Sequence, residues 1–153
     1  MTQARLCKMK TSAKNLAREG VARQSSQFAL FPWATAARAI DGNRKQDFQR
    51  SSCTHTGPDR APWWRLDLKQ PRTVGAVVVY NRNDCCQPRL EGADIRVGNS
   101  PDNNNPSCGS FSPLGVYYNL RFCCDGLVGR YVSVVIPNRK DFLTLCEVEV
   151  YGP

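Results

Sequence analysis

The sequence predicts an all-β domain, an antiparallel sandwich or jelly roll stapled by disulfides. Three observations predict it. Short runs rich in β-branched and aromatic residues recur between clusters of Gly, Pro, Asn, Asp and Ser. No stretch carries a convincing helical period, and there is no internal repeat. Eight cysteines stand in 153 residues, a density that points to an oxidising compartment.

Taken in chain order, residues 1–14 read as a disordered lead-in and residues 15–153 as a single domain that begins near Asn15-Leu16-Ala17. Trp63 to Leu68 alternates large apolar with polar residues, as a half-buried strand does. Thr73 to Tyr80 is almost continuously hydrophobic and β-branched, the pattern of a strand covered on both faces. Ala93 to Val97 alternates, and Arg130 to Ile136 is a second buried run. Leu145 to Tyr151 sets Cys146, Val148 and Val150 on one face and Glu147 and Glu149 on the other. The long loops 41–62, 81–92 and 98–115 are where function is expected, since ordered loops on a β scaffold carry binding residues. Closed β architecture also predicts that Leu16 and Tyr151 lie close together.

The length suits one domain with a proper core. At 41% hydrophobic and 22% charged the composition is that of a globular protein, and no apolar run is long enough to span a bilayer. The first residues are polar and basic and lack the apolar centre of a secretory signal, which conflicts with the cysteines. A mature or trimmed chain with a stray or tag-derived start reconciles the two, so a secreted, extracellular protein is expected. A cytosolic metal protein would need ligand spacings that are absent. The net charge of +8 can attract nucleic acid, heparin-like polymers or anionic lipid. The basic residues are scattered, however, with no recognition helix, aromatic RNA-binding strand or zinc finger, so nucleic acid is not an expected partner.

The cysteines occupy positions 7, 53, 85, 86, 108, 123, 124 and 146. Two pairs are adjacent in sequence. Neighbouring Cα atoms are about 3.8 Å apart, below the usual disulfide range, so adjacent cysteines ordinarily pair with distant partners. That reading is kept for Cys123 and Cys124. For Cys85 and Cys86 the surrounding residues argue otherwise.

The only histidine, His55, lies in a Cys-Thr-His-Thr segment, and Arg82-Asn83-Asp84-Cys85-Cys86-Gln87-Pro88-Arg89 follows. Alone, a loop histidine or an arginine pair is weak evidence. Together they form a pattern: histidine, 26 intervening residues, Arg82-x-Asp84, four residues, Arg89. The pattern resembles the F-type lectins, or fucolectins, whose adjacent cysteines fall inside the same four-residue gap. The resemblance extends over about residues 15–152. It includes Ala39-Ile40-Asp41-Gly42-Asn43, Trp63 to Leu68, Ala93 to Asn99, Gly129 to Val132 and Leu145 to Gly152.

The resemblance implies a discoidin-like β-jelly roll, fucosylated glycans as partners and a part in innate recognition of microbial or cell-surface glycans. The residues suit that chemistry. Arg82 and Arg89 are permanent donors for hydroxyl and ring oxygens, and a neutral His55 offers one donor nitrogen. Asp84 is expected to pair with the arginines and fix their rotamers rather than touch sugar. By resemblance, a Cys85–Cys86 bridge presents a flat sulfur surface to the sugar, and Phe48, with Leu30, forms a pocket for the fucose methyl group. The implied remaining bridges are Cys53–Cys146 and Cys108–Cys124. Cys7 and Cys123 are left to pair, stay free or link chains. A structural Ca2+ is also implied, held by Asp41, Asn43, Ser52 and Glu147 with backbone carbonyls of Arg38 and Cys146; hard oxygen donors suit calcium. Relatives of this kind form trimers or tandem arrays, so a homo-oligomer is a further expectation. An enzyme is not expected, because an oxidised cysteine pair is no nucleophile and two convergent acids are lacking. The alternative is a discoidin-type module that binds anionic lipid or protein surfaces, which would not require the His55, Arg82 and Arg89 set.

Overall fold

The computed structural model describes Cys7, residues 13–48 and residues 51–153. Most of the expected lead-in therefore lies outside the described residues. The described chain forms strands β1 (Val21–Gln24), β2 (Asp59–Arg60), β3 (Trp63–Asn81), β4 (Asp94–Gly98), β5 (Ser107–Ser110), β6 (Leu120–Val135), β7 (Lys140–Asp141) and β8 (Leu145–Tyr151). Its helical pieces are short 3-10 turns, as the missing helical period foretells. Among the described residues no helix is long and apolar enough to cross a membrane.

Every ladder is antiparallel, and β3 is the axis. Its first half pairs with β1, its second half with β8, and both halves pair with β6. The last part of β6 pairs with β4, which carries β5 at the edge. Trp63–Leu68 and Thr73–Tyr80, which read as separate strands, are one 19-residue strand. The Lys69-Gln70-Pro71-Arg72 segment that looks like a break is a register shift between Asp67 and Arg72, with Lys69 at φ 73°. The shift bends the strand and spares Pro71 a place in the ladder, where its missing N–H would matter. Likewise, Arg130–Ile136 is largely the end of a strand that starts at Leu120.

Trp64, Leu66, Val74, Val77, Val79, Ile95, Val132, Val134, Val148 and Val150 share one core. The Trp64 indole N–H donates to the carbonyl of Ala36 at 3.0 Å, so its polar atom is satisfied inside. Val74 to Val79 is buried on both faces, as its composition predicts. Leu145–Tyr151 differs from its alternating pattern. Its acidic face is buried too, with Glu147 fully enclosed and Glu149 4% exposed. The cause is the 41–47 loop lying over that face. Gly42 N–H donates to Glu147 Oε2 at 2.9 Å, and Arg44 donates twice to Glu149, at 2.6 and 2.9 Å.

The two ends of the domain, near Leu16 and Tyr151, lie together as expected: Asn15 Oδ1 accepts from the N–H of Ala17 and from that of Val150. The disulfides are Cys53–Cys146, Cys85–Cys86, Cys108–Cys124 and Cys7–Cys123. The first three are those implied by the family pattern. The last resolves the pair that the sequence left open.

Candidate binding site

Residues 52–57 are buried although they form no strand. Their backbone is docked on the segment before β8. Thr54 N–H donates to the Leu145 carbonyl and Thr56 N–H to that of Leu143; the Thr54 and Thr56 hydroxyls accept from Leu145 and Leu143 in return. The Cys53–Cys146 bridge ties the same two segments. His55 is thus fixed from behind, and its own N–H donates to the Ala34 carbonyl.

The His55 ring is 3% exposed and boxed by aromatic rings. It stacks on Phe28, with centroids 4.6 Å apart, and meets Phe48 and Phe142 edge-on at 5.3 and 5.2 Å. Phe31 lies at 5.5 Å. Nδ1 sits 2.7 Å from the Thr56 carbonyl oxygen. A carbonyl can only accept, so Nδ1 carries the proton and Nε2 of the neutral ring is an acceptor. Burial holds the His55 pKa below its ordinary value; the Thr56 bond opposes this, and the charges of Arg89 and Arg82 reinforce it.

Each arginine caps one of the rings that touch His55. The Arg82 guanidinium lies 4.4 Å over Phe48, and that of Arg89 lies 4.9 Å over Phe142. Asp84 clamps Arg82 through two bonds of 2.9 and 3.0 Å and accepts the Phe48 N–H at 3.0 Å. Burial works against the ionised Asp84 carboxylate, but these bonds prevail and hold it below its usual range. Arg89 sits on the turn Gln87–Leu90, started by Cys86 in the left-handed region at φ 67°. Burial, then the like charge of Arg82, pushes its pKa down. Its Nη1 is buried with no hydrogen-bond partner among the described residues, an arrangement that calls for an acceptor from a ligand. The half-buried Cys85–Cys86 bridge lies between the two arginines in sequence.

The structure therefore brings His55, Arg82, Arg89, Asp84 and Phe48 together. Leu30 is 74% exposed in the loop that carries Phe28 and Phe31, presented to solvent rather than packed. The sequence reading missed Phe28, Phe31 and Phe142, whose loops give no periodic signal. The site offers guanidinium donors, one imidazole acceptor and apolar ring faces. That set suits a small polyhydroxylated ligand with an apolar edge.

Beside it, Asp41-Gly42-Asn43 forms a turn with Gly42 at φ 82° and Asp41 Oδ1 accepting the Asn43 N–H. Ser52 Oγ donates to the Lys45 carbonyl at 2.7 Å. Glu147 Oε1 is buried without a partner. Burial, aided by the like charge of Asp41, pushes the Glu147 carboxyl up to about 8. Among the described residues no three His, Cys, Asp or Glu side chains converge as a metal cluster. A cation here would draw on two carboxylates supplemented by hydroxyl and carbonyl oxygens.

The NedA-like, galactose-binding domain family of the F5/F8 type C group matches residues 38–134. Fucolectin-4 of Anguilla japonica is 44% identical over 146 residues, covering 90% of this chain and 79% of the relative. A pentraxin fusion protein of Xenopus laevis is 41% identical over 143 residues, covering 92% of this chain but only 34% of the relative. Among solved structures, a fucolectin from striped bass (Morone saxatilis) serum superposes with a TM-score of 0.84 at 47% identity, covering 93% of this chain and 48% of that one. The lectin domain of lectinolysin, complexed with Lewis B antigen, gives 0.82 at 32% identity, covering 92% and 97%. The chain thus spans about a third of the pentraxin fusion protein and about half of the striped bass chain.

Proposed function

The chain belongs to the F-type lectin, or fucolectin, family, and on that footing we propose that it binds terminal L-fucose on glycans through His55, Arg82 and Arg89. The family is one of carbohydrate-binding proteins, and the chain is a binding protein, not an enzyme. The observation that carries the fucose reading is the convergence of His55 with Arg82 and Arg89, which come from a separate loop, on the two rings of Phe48 and Phe142. The unpartnered Arg89 Nη1 suits a ring or hydroxyl oxygen as acceptor, and the His55 Nε2 acceptor suits a hydroxyl that donates. The Cys85–Cys86 sulfurs supply the apolar side, backed by Phe48, which is buried beneath Arg82, with Leu30 at the rim for the sugar methyl. The test is retention on immobilised fucose. Elution by free L-fucose and not by salt is expected; elution by salt alone overturns the reading in favour of a charge-driven surface module.

Calcium belongs to the same proposal. The orphaned, fully buried Glu147 oxygen beside Asp41 fits a hard cation held by Asp41, Asn43, Ser52 and Glu147 with the carbonyls of Arg38 and Cys146. Bound there, the ion would neutralise two neighbouring carboxylates. The 41–52 loop and the Cys53–His55 segment would be braced together. Four disulfides suit an extracellular setting, and with it a part in recognising microbial or cell-surface glycans in innate defence.

A further inference from the structure

A second depression, of about 450 Å3, is lined by Arg60, Ala61, Pro137, Asn138, Arg139 and Lys140. It shares a wall with the His55–Arg89 cleft. Arg139 Nη2 donates to the Arg89 carbonyl at 2.6 Å, and Arg139 Nε pairs at 3.0 Å with Asp141, the residue before Phe142.

The short β2–β7 ribbon sorts its charges. Asp59 faces Asp141 on one rung and Arg60 faces Lys140 on the next. Successive residues of a strand point to opposite faces, so the acids and the bases lie on opposite sides. The acids are occupied: Asp59 accepts from the hydroxyls of Ser25 and Ser26 at 2.6 and 2.5 Å, and Asp141 holds Arg139. Arg60 and Lys140 have no ion-pair partner among the described residues. Like charges directly opposite destabilise a ladder. The rung is nevertheless held, by Ala61 N–H on the Arg139 carbonyl at 3.1 Å with Ala61 at φ 48°, a backbone region that costs a non-glycine residue energy. The ribbon thus presents two uncompensated cations beside the His55–Arg89 cleft.

We propose that this depression is a subsite for an anionic substituent, a sulfate ester or a carboxylate, on a saccharide neighbouring the bound fucose. The inference rests on the fucose reading above. Two uncompensated cations, Arg60 and Lys140, in a depression large enough for one further sugar suit a single substituent, whereas a polyanion chain would need an extended track. Arg139, anchored between Arg89 and Asp141, links the two subsites.

The test is calorimetric titration at low ionic strength with one fucosylated trisaccharide in three forms: neutral, sulfated on galactose and sialylated on galactose. A charged form is expected to bind about tenfold tighter than the neutral one. The double substitution Arg60→Gln with Lys140→Gln is expected to remove that advantage and leave the neutral trisaccharide's affinity unchanged, which also reports an intact fold. Equal binding of all three forms by the native protein, or an advantage that survives in the variant, overturns the subsite. If no form binds the native protein, the fucose reading itself fails.

Discussion

The Thr56 carbonyl oxygen lies 2.7 Å from His55 Nδ1 and dictates which ring nitrogen faces a ligand as an acceptor. The proton stays on the Thr56 side, and Nε2 can take a hydroxyl hydrogen only while the ring is neutral. Burial lowers the His55 pKa below its ordinary value of about 6.5. A depressed histidine contributes stability and binding that are complete above the unfolded pKa and are lost as pH falls through the folded one. Fucose affinity is therefore expected to be flat from pH 8 to about 6.5 and to fall in more acidic buffer. Titration of the sugar across pH 8 to 4.5 checks this. A loss already complete at pH 7 contradicts the acceptor role.

Arg82 and Arg89 should fail differently from Asp84. Arg82→Ala or Arg89→Ala removes charge-assisted hydrogen bonds to the sugar, with an expected loss of about a hundredfold or more in affinity. Asp84→Asn leaves both donors in place but loosens the clamp on Arg82, for an expected loss of about tenfold. Thermal melts of all three variants near the native value would show that the losses belong to the site. Native affinity in either alanine variant contradicts the assignment.

Chelation should lower stability. A cation at 100 times its dissociation constant stabilises a fold by about 2.7 kcal/mol, which in a domain of this size is about 5–10 °C in melting temperature. Adding EDTA is expected to produce that drop, and Glu147→Gln to shrink it. Superimposed melting curves with and without calcium argue against the ion.

Removing the Cys7–Cys123 bridge should affect stability and leave recognition alone. The bridge joins positions 116 residues apart. Its loss, through Cys7→Ser with Cys123→Ser, is expected to cost about 2–4 kcal/mol. Cys123 pairs with Ala76 in the β3–β6 ladder and belongs to none of the loops that hold His55, Arg82 or Arg89. The fucose dissociation constant should therefore match that of the native protein, and a large shift would show that the bridge supports the site.

Strands whose two faces meet the same surroundings were legible in the sequence. Val74 to Val79 announces burial through composition alone. β1 and β5, with the sequences VARQ and SCGS, were not legible, because edge pairing sets them and neither carries an apolar pattern. The burial of Glu147 and Glu149 depends on a loop from a hundred residues earlier, which no local pattern encodes. In the site, the histidine and arginines were found through their spacing. Phe142 was not, since its place against His55 arises from the pairing of residues 54–56 with 143–145.

The hydrogen bond from Val150 to Asn15 places Asn15 and the last residues of the chain beside Thr73, where Gly75 packs against Gly152. From Thr73 the second half of β3 runs to Arg82, nine residues of extended chain or roughly 30 Å. Asn15 and Gly152 thus lie at one end of this half-strand and the arginine loop at the other. A neighbouring module that follows Pro153 would leave the proposed site unobstructed. Several copies strung on one chain could engage a crowded glycan surface together, each without shading the next.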